Sequence, residues 1–136
     1  MQEMHGAALS IQRETGLPAS VILAQAALES DWGRAAIGTY NVFGIKGEGS
    51  KGSIKVLTRE YVNGKALRTY AAFAKFGSFE EAFAAYAKLI HNGNHPRAVA
   101  AKSDPVRYAK ALQGSYATDP KYANKLISIM RSQGLL

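Results

Sequence analysis

Residues 18–33 read PASVILAQAALESDWG, and this stretch decides the fold. Its first half is almost wholly apolar and opens with a proline, which suits the first turn of a helix. The pattern predicts a buried helix with Glu29 near its C-terminal end, on the same face as Ile22 and Gln25. Burial and the negative end of the helix dipole both raise the pKa of a carboxyl group placed there. Glu29 is therefore a candidate general acid, and the alternative is an exposed helix-terminal glutamate paired with Arg34.

Capping signals predict further helices on both sides of this stretch. A weak apolar stripe predicts a first helix from Gln2 to about Thr15. The run Ser-Phe-Glu-Glu at 78–81 fits a capping box and so predicts the start of a third helix. Asp-Pro pairs at 104–105 and 119–120 each match a cap followed by a first-turn proline, and each predicts one more helix.

A β-hairpin is predicted in the middle of the chain. Residues 53–62 and 65–73 have the composition of strands, and the Asn-Gly pair between them is a strong hairpin signal. Alternation along the first strand places Glu60 on an otherwise uncharged face. The alternative is that this strand is simply twisted and exposed beside its turn.

Length and composition bound the fold class. The 136 residues suit one domain, and 47% of them are hydrophobic, which is enough for one core. We therefore expect a single predominantly helical α+β domain, residues 1–136, with a small β-lobe at about 53–74 inserted between helices. No run of about 18 apolar residues occurs, so no membrane span is predicted. The absence of cysteine excludes disulfides, thiolate nucleophiles and cysteine-based zinc sites.

The charge balance favours an anionic partner. Lys and Arg number 17 against 10 Asp and Glu, which gives a net charge of +7. A basic surface attracts polyanions such as nucleic acid, anionic lipid or anionic cell-wall polymer, although it can also be no more than a solvated surface. The charges are scattered rather than clustered, so we expect no nucleic-acid partner. Residues 1–5 lack the basic start and apolar core of a signal peptide.

The sequence gives little support for a metal site or for a serine nucleophile. His91 and His95 are four residues apart, but Gly93 and Pro96 interrupt any helix between them, and the His-Glu-x-x-His motif is missing. The chain also has no Gly-x-Ser-x-Gly elbow. We therefore predict neither a metal site nor a cofactor.

A pair of carboxylates remains, with Glu29 on the buried helix and Glu60 on the hairpin. Two carboxylates across a cleft are the minimum for glycoside hydrolysis: one protonates the leaving oxygen, and the other activates water or stabilises the transition state. The glycine- and aromatic-rich loop at 33–47 would present Tyr40 and Phe43 to sugar rings. The alternative is an ordinary loop packed by its own apolar side chains.

These residues lie in segments that resemble glycoside hydrolase family 73. That family comprises peptidoglycan-hydrolysing N-acetylglucosaminidases, including bacterial autolysins and the cell-wall-cutting domain of flagellar rod-assembly proteins. The resemblance covers most of the chain, with Phe73 and the capping box also fitting. The matching segments, in the family's order, are ALESDWG at 27–33, YNVFGIKG at 40–47, TREY at 58–61 and YATDP at 116–120.

The resemblance implies a lysozyme-like fold and assigns roles by position. Glu29 aligns with the general acid and Glu60 with the second acidic residue of the β-lobe. Tyr116 aligns with a tyrosine needed for activity, which would position the N-acetyl group or the reacting sugar. The expected substrate-binding residues are Tyr40, Asn41, Phe43, Trp32 and Thr118.

The sequence departs from the family pattern at several positions. Tyr40 precedes Asn41 where the family often has a doubled Asn, and Ser115 replaces a common Gly. Ala74 and Phe76 stand where an Arg and a Tyr are common, and the glycine-rich stretch between the two acids is short. No proposed catalytic group is lost, but the width of the cleft is in question.

The resemblance implies an endo-β-N-acetylglucosaminidase that cleaves the GlcNAc–MurNAc β-1,4 bond of peptidoglycan glycan strands. Two alternatives stay open: a lysozyme or lytic transglycosylase that cuts the MurNAc–GlcNAc bond, and a non-catalytic basic module that binds cell wall. Inverting and substrate-assisted mechanisms also both stay open. We expect a monomer that acts in the periplasm, outside the cell or at the cell wall.

Overall fold

Six helices and one antiparallel hairpin make up the part of the chain that the computed structural model describes, residues 2–31, 33, 36 and 39–136. Only the backbone is described for residues 2 and 59–62. The arrangement confirms the predicted helix-rich α+β class and the position of the hairpin after the second helix. In chain order the elements are α1 (Gln2–Thr15), α2 (Ala19–Ser30), β1 (Ser53–Val62), β2 (Lys65–Ala74), α3 (Phe79–Ile90), α4 (Pro96–Ala100), α5 (Pro105–Leu112) and α6 (Tyr122–Ser132).

Helix α2 is the buried helix that the sequence predicts. It packs against α1, α5 and α6, and its residues are buried apart from Ser20, Leu28 and Glu29. Asp31 caps its C-terminal end with a left-handed backbone (φ 50°), and the N–H of Asp31 donates to the carbonyl of Ala27. Because neighbours hold α2 on nearly all sides, the core fixes the position of Glu29.

Aromatic contacts attach the irregular loop at 40–46 to α3. The ring of Phe43 stacks on Tyr86 with centroids 4.7 Å apart and meets Phe83 edge to face at 4.9 Å. Each such pair contributes about 0.5–1.5 kcal/mol beyond the burial of its area. The loop therefore has a defined place despite its lack of regular structure.

Strands β1 and β2 form a two-stranded sheet in which every residue of one strand has a partner on the other. The turn residues Asn63 and Gly64 both have positive φ, 52° and 79°, as a two-residue Asn-Gly hairpin favours. The first six residues of β2 are exposed, whereas Phe73 and Ala74 at its end are buried. The base of the hairpin is thus anchored in the core, and its turn end lies in solvent. Strand β2 ends one residue later than predicted.

Two of the predicted helix caps are confirmed. Ser78 accepts a hydrogen bond from the N–H of Glu81 at 3.2 Å and caps α3. The carboxylate of Glu81 accepts from the N–H of Gly77 at 2.6 Å. The second bond of the capping box, from the N–H of Ser78 to Glu81, is therefore not formed as predicted. Asp104 caps α5 by accepting from the two N–H groups that follow Pro105.

Two helix starts differ from the prediction. Helix α6 begins at Tyr122, not at the Asp119-Pro120 pair, because Asp119 accepts from the N–H of Lys121 at 2.9 Å within a separate turn. The short helix α4 has no counterpart in the sequence-based prediction, which treats Pro96 as a breaker. Proline at a first helical position loses no helix hydrogen bond, so Pro96 begins a helix here.

None of the described helices is both long enough and apolar enough to cross a membrane.

Candidate active site

The side chain of Glu29 lines a cavity of about 710 Å³ at the C-terminal end of α2. The walls come from α2, the loop at 43–46, the segment at 115–119 and helix α6. Elements that are distant in sequence therefore meet around one carboxyl group. The polar and aromatic residues of the wall include Glu29, Phe43, Lys46, His95, Ser115, Tyr116, Thr118, Asp119, Tyr122 and Lys125.

The carboxyl group of Glu29 is held by a hydrogen bond from another helix. The hydroxyl of Tyr122, the first residue of α6, donates to Oε1 of Glu29 at 3.2 Å. Among the described residues, Oε2 of Glu29 has no hydrogen-bond partner. One oxygen is thus fixed by the protein, while the other is left for solvent or a ligand.

Burial raises the pKa of Glu29 above its ordinary value of 4.5, and the hydrogen bond from Tyr122 opposes this rise. Although solvent reaches Glu29, the cavity walls surround the carboxyl closely enough for desolvation to be the larger effect. This is the direction expected from the buried helix. A raised pKa favours the protonated form that a general acid requires.

Behind Tyr122 lies a buried polar chain that crosses the helical core. Nε2 of Gln25 donates to the hydroxyl of Tyr122 at 3.0 Å, and the hydroxyl of Tyr86 donates to Oε1 of Gln25. The hydroxyls of Tyr86 and Tyr108 are 2.6 Å apart. Gln25 is fully buried among apolar residues of α2, so these partners are what make its burial tolerable.

Tyr116 reaches the same cavity from the segment between α5 and α6. Its ring lies 6.2 Å from that of Tyr122 and 6.0 Å from that of Tyr86. Burial, followed by the nearby charge of Glu29, raises the pKa of Tyr116 well above its usual value. The phenol therefore keeps its proton at physiological pH and remains a hydrogen-bond donor.

His95 supports this segment from the start of α4. Its Nδ1 lies 3.2 Å from Oγ of Ser115, and Ser115 donates its own hydroxyl hydrogen to the carbonyl of Ala111 at 3.0 Å. Nδ1 must then be the donor, which fixes the tautomer of a neutral His95. The ring also lies 6.1 Å from that of Tyr116. His95 is thus buried beside the cavity as a support for the segment that carries Tyr116.

Asp119 is a second carboxylate in the cavity wall. Its Oδ2 pairs with Nζ of Lys125 at 2.5 Å, and its Oδ1 accepts from the N–H of Lys121. The hydrogen bond from Lys125, followed by that from Lys121, lowers the pKa of Asp119. Both oxygens are therefore engaged, and the group is held in its charged form.

The structure brings Phe43 and Thr118 to the cavity but not Asn41. Phe43 and Thr118 both line the wall. Asn41 is buried, and its amide donates to the carbonyls of Ile45 at 2.9 Å and Ala74 at 3.0 Å. Its Oδ1 accepts from the N–H of Ile45 at 3.0 Å, so Asn41 ties the loop to the base of the hairpin.

Three further predicted site residues, besides Asn41, are not among the described residues of this cavity. Tyr40 is exposed, lies edge to face with Phe79 at 4.9 Å and lines a separate shallow depression near α1. Trp32 lies outside the described residues. The backbone of Glu60 pairs with Leu67 in the exposed half of the hairpin, and the side chain of Glu60 is outside what the structure describes.

Sequence reasoning missed Gln25, Tyr122 and His95 as site residues. Gln25 was identifiable, because it is the one polar residue between Ser20 and Glu29 and precedes the acid by one helical turn. Tyr122 fits an ordinary apolar stripe, and its hydroxyl has no local partner. His95 carries no motif at all, so only the fold places it beside Tyr116.

Comparison with known proteins identifies the family of this chain. Residues 5–135 match the Glucosaminidase family model, described as mannosyl-glycoprotein endo-beta-N-acetylglucosaminidase. Peptidoglycan hydrolase FlgJ of Pseudomonas aeruginosa is 39% identical over 127 residues, which cover 85% of this chain and 32% of that protein. A probable N-acetylmuramidase of Lactococcus lactis subsp. lactis is 34% identical over 145 residues, covering 99% of this chain and 33% of that protein.

The fold is also similar to a solved structure. The catalytic domain of the autolysin Auto from Listeria monocytogenes superposes with a TM-score of 0.89 at 35% identity, covering 98% of this chain and 82% of that one. The chain spans about a third of the length of the two curated relatives described above. Because the family model matches nearly the whole chain, the chain belongs to the glucosaminidase family of glycoside hydrolases, family 73, with its helix-rich, lysozyme-like fold.

Proposed function

We propose that this chain hydrolyses peptidoglycan as an endo-β-N-acetylglucosaminidase, with Glu29 as the general acid. The observation that carries the proposal is a carboxyl group with a raised pKa, held at one oxygen by Tyr122, in the wall of an open cavity. Such a group can protonate the leaving oxygen of a glycosidic bond. The names peptidoglycan hydrolase and autolysin among its relatives support the substrate.

Tyr116 is suited to orient the sugar whose bond breaks. Its phenol stays protonated beside Glu29, so it can donate a hydrogen bond to the N-acetyl group of the substrate. The ring of Tyr116 supplies an apolar face for the sugar in the same wall. These contacts place an N-acetylated sugar beside the acid.

The position of Glu60 favours a mechanism that does not depend on a second carboxylate in the resting site. Glu60 is six residues along β1 from Ile54, whose partner Phe73 is buried, so its backbone lies roughly 20 Å from the anchored base of the hairpin. Asp119 lines the cavity, but both of its oxygens are already engaged. In an inverting reaction, the hairpin would carry Glu60 to the substrate by bending towards Glu29.

The nucleophile in this proposal is the substrate's own N-acetyl oxygen. It bonds to the anomeric carbon as the glycosidic C–O bond breaks, and the proton of Glu29 moves to the leaving oxygen. Water then opens the resulting oxazolinium ion and returns a proton to Glu29. Two displacements at the same carbon retain the β configuration.

The configuration of the first-formed product tests this step. NMR of fresh digests should show the β-anomer before mutarotation, and Tyr116→Phe should lower kcat more than it raises KM. An α-anomer would instead assign Glu60 as the base of an inverting reaction after closure of the hairpin.

A muramidase is the second candidate, because the Lactococcus relative is named a probable N-acetylmuramidase. Both reactions cut β-1,4 bonds between N-acetylated sugars, so the described cavity suits either one. Borohydride reduction of the released fragments separates them. We expect reduced N-acetylglucosamine at the fragment ends, whereas reduced N-acetylmuramic acid or its anhydro form would establish the alternative.

The proposed substrate also suggests a partner and a place of action. A net charge of +7 attracts the carboxylates of muramic acid and the stem peptides. We place the reaction at the cell wall, in the periplasm or outside the cell.

The proposal is tested by incubating purified sacculi with the wild type, with Glu29→Gln and with Glu14→Gln. Glu14 is an exposed glutamate of α1 and provides the matched control. We expect soluble muropeptides from the wild type and from Glu14→Gln, and none from folded Glu29→Gln. Retention on sacculi without release by the wild type would instead identify a non-catalytic binding module.

A further inference from the structure

The buried chain behind Glu29 has a direction. Nε2 of Gln25 is a donor only, so the hydroxyl of Tyr122 accepts from it and turns its own hydrogen to Oε1 of Glu29. At the other end of the amide, Oε1 of Gln25 accepts the hydrogen of Tyr86. Tyr86 has then used its single hydrogen, so Tyr108 must be the donor in the Tyr86–Tyr108 bond. Every hydrogen bond in this chain points towards Glu29.

A reversed arrangement would satisfy the same buried groups. If the amide of Gln25 turned over, Tyr122 would donate to Gln25 and could accept only from a proton on Oε1 of Glu29. Tyr86 would accept from Gln25 and donate to Tyr108. In that state the proton of Glu29 points into the core and is not available to a substrate. The two states differ in the acceptor of the Tyr86 hydroxyl hydrogen, which is Oε1 of Gln25 in the observed state and the hydroxyl of Tyr108 in the reversed state.

We infer that Tyr86 and Gln25 are positioning residues, which keep Oε1 of Glu29 an acceptor and direct the acid proton to Oε2. This rests on the proposed role of Glu29 as general acid. Oε2 is the oxygen that has no hydrogen-bond partner among the described residues, in a side chain that lines the cavity. Tyr86 is fully buried and does not line the cavity, so its effect acts through Gln25 and Tyr122.

The test compares Tyr86→Phe with Tyr108→Phe. Both substitutions remove one hydroxyl from a fully buried tyrosine, and Tyr86→Phe keeps the ring that stacks on Phe43. Without the hydroxyl of Tyr86, the amide of Gln25 is free to turn over. Without the hydroxyl of Tyr108, the reversed state leaves the hydrogen of Tyr86 with no acceptor, so the observed direction is kept.

We expect kcat on purified glycan strands to fall about five- to tenfold in Tyr86→Phe, the equivalent of one buried hydrogen bond, with KM unchanged. In Tyr108→Phe both constants should match those of the wild type. The two variants should have equal thermal stability, because each loses one buried hydroxyl. Gln25→Met removes the amide from the same link at similar volume and should reproduce the fall in kcat, which keeps the test valid if Tyr86→Phe does not fold.

A pH profile separates positioning from a loss of structure. When Tyr122 is no longer obliged to donate to Glu29, the protonated acid gains a possible acceptor, so the alkaline limb of kcat should move to higher pH in Tyr86→Phe alone. The other titratable groups that face the cavity are the same in both variants. They are Lys46 from the loop at 43–46, His95 before α4, Tyr116 and Asp119 between α5 and α6, and Tyr122 and Lys125 on α6.

Equal kcat values and equal pH profiles for Tyr86→Phe and Tyr108→Phe would overturn the inference. Glu29→Gln separates this failure from failure of the proposed function. If Glu29→Gln is inactive while the two tyrosine variants behave alike, the acid stands and the directed chain is wrong. If Glu29→Gln is active, the proposed function itself is wrong.

Discussion

The hydroxyl of Tyr122 donates to Oε1 of Glu29 at 3.2 Å and so connects two helices across 93 residues of sequence. Helix α2 supplies the acid, and α6 supplies the group that fixes its orientation. Burial of the carboxyl raises its pKa, and this bond limits the rise. The acidity of Glu29 is therefore set by the packing of α6 against α2.

Removing that hydroxyl should change the pH dependence of the reaction. A hydrogen bond to a carboxylate stabilises its charged form, so Tyr122→Phe takes away an interaction that lowers the pKa of Glu29. The pKa should rise further, and a general acid then stays protonated to higher pH. We expect the alkaline limb of the kcat/KM profile to move upwards.

Tyr70→Phe provides the control, because Tyr70 is 68% exposed on the hairpin. Its profile should coincide with that of the wild type. An alkaline limb that stays in place or moves downwards in Tyr122→Phe would show that this bond does not control the acid.

We expect Asn41 to contribute to the stability of the fold more than to substrate binding. Its side chain makes three hydrogen bonds to the backbone of Ile45 and Ala74. At about 1 kcal/mol for each bond, Asn41→Ala should lower the free energy of unfolding by roughly 3 kcal/mol. Urea unfolding measures this change. Asn92→Ala, which loses one exposed bond, should stay within about 0.5 kcal/mol, and an equally small effect at Asn41 would contradict the structure.

His95 should influence activity through Ser115. The bond from Nδ1 to Oγ holds the segment that carries Tyr116, so His95→Ala should lower kcat/KM roughly three- to tenfold. Ser115→Ala should have a similar effect, and the double variant should lose little more than either one. His91→Ala is the control, because the ring of His91 bonds to the carbonyl of Ala87 on α3 and to no other described residue. Additive losses in the double variant would show that the two residues act separately.

Gly49 should be irreplaceable at the base of the hairpin. A Cβ there would lie 2.2 Å from the carbonyl oxygen of Lys75, which is backbone and cannot move freely. Gly49→Ala should cost about 1–3 kcal/mol of unfolding free energy through overpacking. Gly6→Ala lies in α1 with nothing near its Cβ position and should stabilise by about 0.5–1 kcal/mol. Opposite signs are expected in thermal melts, and a stabilising Gly49→Ala would refute this packing.

Local patterns predicted most of the fold because the signals for its elements lie within a few residues of each other. The apolar run of α2, the Asn-Gly turn and the caps at Ser78 and Asp104 each act through neighbouring residues. The start of α6 was predicted wrongly at Asp119, since an Asp-Pro pair can end in a turn as readily as in a helix.

The candidate site was predictable only in part, because its contacts are long-range. Glu29 was found from its place at the end of an apolar helix, and Tyr116 through a segment that resembles the family. Tyr122 and Gln25 were not, because a buried hydroxyl or amide reveals its partner only when the helices are packed. Asn41 was assigned to substrate for its place in a loop motif, whereas the structure engages its amide with the backbone. That residue's role towards substrate stays a prediction.

The central claim, that Glu29 is the proton donor, is tested most directly by comparing two leaving groups in Glu29→Gln. A natural glycan needs protonation of its leaving oxygen, so its hydrolysis should slow by about 10²–10⁴-fold. A 2,4-dinitrophenyl β-glycoside of N,N′-diacetylchitobiose has a leaving group that departs without a proton, so its release should fall far less. Equal losses on both substrates, or full activity on the glycan, would contradict the assignment of Glu29 as the general acid.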